Sequence, residues 1–316
     1  MKKIAVFFLL PLLAMPMLAA QEITSSRELV LQLSTLPEAK LAFTQTFKFP
    51  FLQGDDPLTA NNNVAFALSA EATPISLNGL VKAVLTPVAF IELSAGARIG
   101  AGWPLNLFGS DIYGTGFNSI DNNDEAKYDG SPFDALLWKV NIGGTFQFDL
   151  GAVIPGDWNH VVFLSYHEIN YHGNTRAVNG EAWYYESDDG ENRNGFNYFG
   201  NIVLGYQMPI FISMVAFMAE MDLYLYDGVP SESGINRNLW GDDLLRWKFS
   251  NILNFSITDQ FSIALITQFR TRRNFTNFDE NKNDYNAVHY QKRILDTSNP
   301  VRFEFYRVAA IVSYKF

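Results

Sequence analysis

Cysteine is absent from the 316-residue chain. Without it neither a disulfide framework nor a thiolate metal site can form. Histidine occurs only four times, as His160, His167, His172 and His289, which leaves little material for imidazole clusters. Bases are also few: 23 Lys and Arg stand against 33 Asp and Glu, a formal net charge of −10. So acidic a chain has no attraction for a phosphate backbone, and no nucleic-acid partner is expected. Long hydrophobic runs are missing beyond residue 20. The longest, Pro209 to Ala219, is interrupted by Ser213 and ended by Glu220. It falls short of the roughly 20 apolar residues that a membrane-spanning helix needs.

Apolar residues are nevertheless abundant. Met1-Lys2-Lys3 and then Ile4 to Leu18, interrupted by Pro11 and Pro16, read as the basic and apolar regions of a secretory signal peptide. Cleavage is expected after Ala20, with Leu18 larger than the ideal residue at that site. Residues 21–316 are then one domain with 21 bases against 33 acids, a net charge of −12. With 27 Phe and 14 Tyr the chain is too aromatic for a disordered secreted protein. Its mean hydropathy of −0.02 is what strands with one apolar and one polar face produce.

Period-two alternation runs through most of the chain. It is faint from Arg27 to Leu33 and clear from Lys40 to Phe51, where Leu41, Phe43, Phe47, Phe49 and Phe51 oppose Lys40, Thr44, Thr46 and Lys48. It returns at Asn62–Ala72, Asn78–Thr86, Val88–Gly102, Leu136–Ala152, Phe196–Gln207, Ile210–Tyr226, Leu244–Ile257 and Phe261–Arg272. Trp158–Tyr171 also reads as a strand, but polar and apolar residues fall on both of its faces. In the last stretch, Val301 to Phe316, the residues Tyr306, Val308, Ala310, Val312, Tyr314 and Phe316 take every second position, with Arg307, Ser313 and Lys315 between them.

That ending resembles the C-terminal signature of the outer-membrane β-barrel proteins of diderm bacteria. The resemblance implies an all-β fold: a transmembrane antiparallel up-and-down barrel in the outer membrane, surrounded by outer-membrane lipid. It also implies that the last strand closes against the first and is read by the barrel-assembly machinery. A closed barrel is the non-helical architecture that satisfies every backbone group in lipid, with strands of about ten residues. A soluble β-sandwich or propeller is the fold alternative, since its strands alternate in the same way.

Loop lengths give direction. Thr86-Pro87, Ile154-Pro155-Gly156-Asp157, Met208-Pro209 and Thr258-Asp259 mark short turns, and long polar segments alternate with them. Short turns belong to the periplasmic side and long loops to the exterior, which yields twelve strands. Ten or fourteen remain open, because the segment Leu52–Asn61 is longer than a periplasmic turn should be.

Chemistry is sparse. Ser165 and His167 share a strand face, but no third residue can be named to orient the histidine, so a structural histidine is the simpler reading and no enzyme is expected. Glu220 and Asp222 lack a histidine on their strand. The segment Glu186-Ser187-Asp188-Asp189-Gly190-Glu191-Asn192 is rich in oxygen ligands but lacks the spacing of a calcium loop, so a solvated acidic loop is expected and neither metal nor cofactor.

The inward face carries more. Lys82, Arg98, Lys139, Arg246, Lys248, Arg270, Arg272 and Arg307 face Glu71, Glu92, Asp149, Glu220 and Asp222, a surplus of bases. Such a cluster either braces the wall by cross-strand ion pairs or forms a charged constriction that selects solutes. The sequence is read as a passive, porin-like channel for small solutes. Its rivals are a surface-interaction, adhesin-type barrel with a closed lumen and a transporter of hydrophobic molecules, for which Ile212, Met214, Ala216, Met218, Ile252 and Ile266 would line the path.

Overall fold

The computed structural model describes residues 23–36, 38–107, 110–120, 126–129, 132–177, 183–186, 192–225, 244–277 and 293–316. The expected signal peptide, His289 and residues 187–191 of the acidic loop lie outside them. Among the described residues, twelve strands form one closed antiparallel sheet. They are β1 (Thr24–Ser34), β2 (Ala39–Pro50), β3 (Asn63–Thr73), β4 (Ser76–Val88), β5 (Ile91–Gly102) and β6 (Leu137–Asp149). The second half continues with β7 (His160–Asn174), β8 (Gly195–Gln207), β9 (Ile212–Tyr224), β10 (Arg246–Ser256), β11 (Phe261–Arg273) and β12 (Val301–Lys315). Each strand pairs with its neighbours in sequence, and β12 returns to β1 through a register that sets Leu31 opposite Val312 and Leu29 opposite Tyr314. The protein is therefore an up-and-down β-barrel, as the alternation and the resemblance led us to expect.

Both ends of the sheet, Thr24 of β1 and Lys315 of β12, lie at the end where the β4/β5, β8/β9 and β10/β11 turns are short. The opposite end carries the long connections after β5, β7, β9 and β11. The irregular N-terminal third has a physical account. The β2/β3 connection is long because it packs on the next turn: Ala89 N donates to Leu58 O at 2.8 Å. The buried Asn62 donates Nδ2 to Leu52 O at 2.9 Å and Pro87 O at 2.7 Å, tying both connections together.

Two turn boundaries differ from the reading of the sequence. Pro87 does not make the reversal. It sits inside β4, at a register shift between Leu85 and Val88, and the chain turns at Ala89-Phe90. A bulge leaves a residue unpaired, so the missing N–H of proline costs no ladder bond there. A second register shift, between Ile212 and Met214, pairs Ile212 with the outward Phe255, so Ile212 joins the exterior rather than the lumen wall. Only from Met214 onward does β9 present its even-numbered residues inward.

Burial is inverted relative to a soluble domain. Large apolar residues are exposed on the outside, among them Phe43, Leu68, Leu93, Ile142, Leu204 and Phe217. The buried residues are mostly polar and inside, including Ser76, Asn78, Glu168, Asn170, Asn197, Ser250 and Gln268. Aromatic pairs flank the belt. Trp138 stacks on Tyr171 at 5.1 Å and Phe269 on Phe303 at 5.7 Å near the loop end, while Phe211 with Phe255 and Tyr314 with Phe316 lie at the turn end. An apolar belt between two aromatic girdles is the exterior of a barrel that sits in lipid.

Ile142, 66% exposed in the middle of β6, tests this directly. Ile142→Arg should lower the unfolding free energy in liposomes by about 2–4 kcal/mol, the cost of a cation near the bilayer midplane. Urea titration read by tryptophan fluorescence checks it. A soluble β-protein would tolerate the same exposed substitution with little change.

Candidate functional site

The lumen has two zones along its axis. Towards the turn end the inward face is largely apolar on three strands, with Met214, Ala216 and Met218 of β9, Ile252 of β10 and Ile266 of β11, while β6 and β7 carry the Asp149–His160 contact at 2.8 Å there. Towards the loop end it is charged, because antiparallel register brings acids and bases of adjacent strands face to face. Glu220 stands opposite Lys248 at 3.4 Å, and Asp222 opposite Arg246, which it contacts. Arg270 pairs with Glu304 at 2.9 Å, and Arg302 reaches the same carboxylate at 3.2 Å. Arg307 binds Glu38 across the β1/β12 seam, and its Nε donates to Gln268 at 2.5 Å. Arg272 stands opposite Arg302.

On the facing wall Glu168 is buried, and its two oxygens take four partners. Lys139 lies at 2.6 Å, Tyr166 Oη donates at 2.6 Å, and Asn141 and Asn170 donate at 3.1 and 3.0 Å. Four partners offset the cost of burying this carboxylate. Arg98 lies 3.4 Å from Glu71 and 3.5 Å from Glu186, while Lys82 stands 5.8 Å over the Tyr166 ring.

The mouth is narrowed by chain from the long loops. A short strand, Trp183–Tyr185, pairs with Thr115–Ile120, which pairs in turn with Ala126–Asp129. This small sheet is pinned to the barrel wall by Glu186, whose Oε1 accepts from Ser76 Oγ at 2.7 Å and Asn78 Nδ2 at 3.1 Å. Tyr185 Oη donates to Asn78 Oδ1 at 2.5 Å. Burial and then the adjacent Glu186 carboxylate push that phenol up to about 12, so it stays a donor at any physiological pH. Room for the tyrosine comes from Gly100 on β5, where a Cβ would lie 2.8 Å from Tyr185 Oη. Beside this anchor is a cavity of about 340 Å³, lined by Lys40, Glu38, Ile75, Tyr185, Tyr306 and Arg307 among others.

Several sequence expectations change here. Glu186 is not part of a solvated loop; it is held inside the mouth by Arg98, Ser76 and Asn78. The surplus of lumen bases narrows, because the four acids Glu38, Glu168, Glu186 and Glu304 also face inward against two further bases of the charged zone, Lys40 and Arg302. Glu168 was hidden by the ambiguous pattern of β7, and Glu186 by its place in a polar loop. The glycines at alternate lumen positions of β5, Gly96, Gly100 and Gly102, were the available sign that something packs there. Tyr306 does not share the outward face of Val308, Ala310, Val312, Tyr314 and Phe316. A bulge opposite Gln268 and Phe269 skips it in the register, so Tyr306 turns inward and carries Arg270 over its ring at 4.2 Å. Phe303 and Phe305 take the outward positions before the bulge. Ser165 and His167 prove to face outward on β7, with Ser165 Oγ 2.9 Å from His167 Nε2.

If the Glu186 anchor holds the inserted segment, Glu186→Gln should loosen it. Loss of charge-assisted bonds to a carboxylate, roughly 1.5–3 kcal/mol, corresponds to an order of magnitude or more in local opening. Hydrogen–deuterium exchange of the Trp183–Tyr185 amides should accelerate accordingly while the β4 and β5 amides keep their protection. Unchanged exchange would show that the segment is held by other contacts.

No protein-family model matches the chain, and no curated protein matches it. Among solved structures it is similar to the KdgM porin, at 8% identity and a TM-score of 0.39, covering 92% of this chain and 99% of that one. It is likewise similar to the β domain of the Bordetella autotransporter BrkA, at 9% identity and 0.38, covering 93% and 99%. The transport unit of the autotransporter AIDA-I from Escherichia coli matches at 8% and 0.32, covering 96% and 93%. Likeness at this level carries no argument about activity. The closed antiparallel ring, its apolar exterior and its polar lumen are themselves enough to say that this chain has the architecture of the outer-membrane β-barrels.

Proposed function

We propose that the protein is an outer-membrane channel passing small polar solutes between the exterior and the periplasm, with the charged collar as its selecting constriction. One observation supports this reading: several groups of the charged zone stay accessible. Lys40, Arg98, Lys139 and Lys248 keep 33%, 32%, 36% and 34% of their side-chain surface accessible, and Asp222 keeps 42%. A lumen filled by its own side chains would bury such groups, whereas a water-filled bore leaves them facing the path of a solute. The cavity beside Tyr185 supports the same reading. On this view the protein's partners are the lipid around its belt, the barrel-assembly machinery acting on the closing strand, and the solutes themselves.

The apolar inner zone at Met214, Met218, Ile252 and Ile266 favours a second reading, a path for hydrophobic molecules. Planar-bilayer recording separates the two. A channel for polar solutes gives discrete conductance steps, and a dry apolar path gives none.

Selectivity tests the role of the collar. Because its pairs nearly cancel, the wild-type channel should discriminate weakly between anions and cations. Arg246→Glu with Lys248→Glu leaves Glu220 and Asp222 among like charges and should shift the reversal potential in a salt gradient strongly towards cations. Loop charges in brine are screened over roughly 8 Å, so lumen charges at close range decide the sign. An unchanged reversal potential would remove the collar from the conduction path.

A further inference from the structure

Polar side chains interrupt the exterior belt at a few places, Gln45 and Asn251 among them, and at one of them three such groups form a hydrogen-bonded chain. On β7, apolar positions lie on both sides of Ser165 and His167: Val161 and Phe163 towards the turn end, Ile169 and Tyr171 towards the loop end. The break therefore falls near mid-strand, at the depth where the belt meets hydrocarbon. His167 Nε2 lies 2.9 Å from Ser165 Oγ, and its Nδ1 lies 2.7 Å from Tyr198 Oη on β8. His167 is exposed and Ser165 and Tyr198 half-buried. Glycines flank the imidazole on both neighbouring strands, Gly144 on β6 and Gly200 on β8. Gly200 is needed for the contact itself: a Cβ there would come within 2.8 Å of Tyr198 Oη and 3.1 Å of His167 Nδ1. The result is a recess, floored by a hydrogen-bonded chain and rimmed by Ile142, Ile169 and Ile202.

Counting protons shows that the chain cannot satisfy itself. With a neutral imidazole the three groups carry three donor hydrogens, and only two contacts join them. If Nε2 accepts from Ser165, then Nδ1 donates to Tyr198 and the phenolic hydrogen is left over. In the other tautomer Tyr198 donates to Nδ1 and the serine hydrogen is left over. Neither hydroxyl has another hydrogen-bond partner among the described residues. Hydrocarbon offers no acceptor, lipid esters lie at the interface rather than mid-belt, and an unsatisfied donor in lipid is costly. The same hydroxyl oxygens keep spare lone pairs, so the patch presents both a donor and acceptors.

We propose that this recess is a self-association site, occupied by the same recess of a second copy of this chain. A two-fold axis parallel to the barrel axis brings the two patches to equal depth, where the spare donor of each copy meets a hydroxyl oxygen of the other. The flanking glycines permit close approach of the two walls, as small residues do between membrane-embedded elements. The inference needs the exterior to face lipid and is independent of whether the lumen conducts.

The test uses the full mature chain reconstituted in lipid nanodiscs and in mild detergent. Its oligomeric state is read by native mass spectrometry, and folding is controlled by faster migration of the unboiled barrel on denaturing gels. The wild type should be a dimer. Ser165→Ala with His167→Leu and Tyr198→Phe should be a folded monomer, with at least a tenfold weaker association constant, whereas Ser262→Ala, on the lumen side, should leave the dimer intact. A monomeric wild type, or a triple variant that stays dimeric, overturns the proposal. So does release of fatty acid from phospholipid vesicles by the wild type that Ser165→Ala abolishes, since the chain would then be a nucleophile relay rather than a docking surface.

Discussion

The structure depends on one constraint: in lipid, no backbone N–H or C=O can be left to water. Every such group in the belt must find a neighbouring strand, and only a closed sheet provides one at both edges. The seam between β1 and β12 is where that closure is made. It runs from Glu28 opposite Lys315 to Ser34 opposite Ala309, and is extended by Phe316 N donating to Arg27 O and Thr35 N to Val308 O. Arg307 adds an ion pair to Glu38 across the same seam on the lumen side. Once the ring is closed, side chains can only point out into hydrocarbon or in towards the lumen. The polar lumen and apolar exterior then follow from the alternation of the sequence.

The lumen shows how that same alternation assembles a charged site without a catalytic motif. Acids and bases separated by long stretches of sequence meet because the strands are antiparallel neighbours in register, as Glu220 and Asp222 do with Lys248 and Arg246. These pairs brace the wall, and because Lys248 and Asp222 stay partly accessible they also line the lumen. Beneath them β9, β10 and β11 carry Met, Ala and Ile, while β6 and β7 hold Asp149 against His160. The inserted segment at Tyr185 and Glu186 adds a second layer of restriction, held by the same kind of pairing to Arg98.

Strand number, pairing order and the two faces of most strands were legible in the sequence because a period of two, once started, propagates along a strand. The reading failed where that period is broken. Bulges at Pro87, between Ile212 and Met214, and at Tyr306 each flip the inward set for part of a strand, and nothing local in the residues announces the extra one. The ambiguous faces of β7 have a different cause. Its exterior carries Ser165 between Phe146 and Ile202 and His167 between Gly144 and Gly200, and its interior carries Val162 and Leu164, so neither face is uniform. That mixture hid Glu168, the best-satisfied acid of the lumen. Glu186 could not be placed because its partners Ser76 and Asn78 lie more than a hundred residues away in sequence.

The central claim, a closed barrel with lipid outside and water inside, is tested most directly on β6. The chain has no cysteine, so single cysteines can be placed in turn at Lys139, Val140, Asn141, Ile142, Thr145, Phe146, Gln147 and Phe148 and challenged in membranes with a small water-soluble thiol reagent. The account predicts labelling with a period of two: positions 139, 141, 145 and 147 react, and 140, 142, 146 and 148 are protected. A flat profile, or inward positions as unreactive as the outward ones, would contradict it.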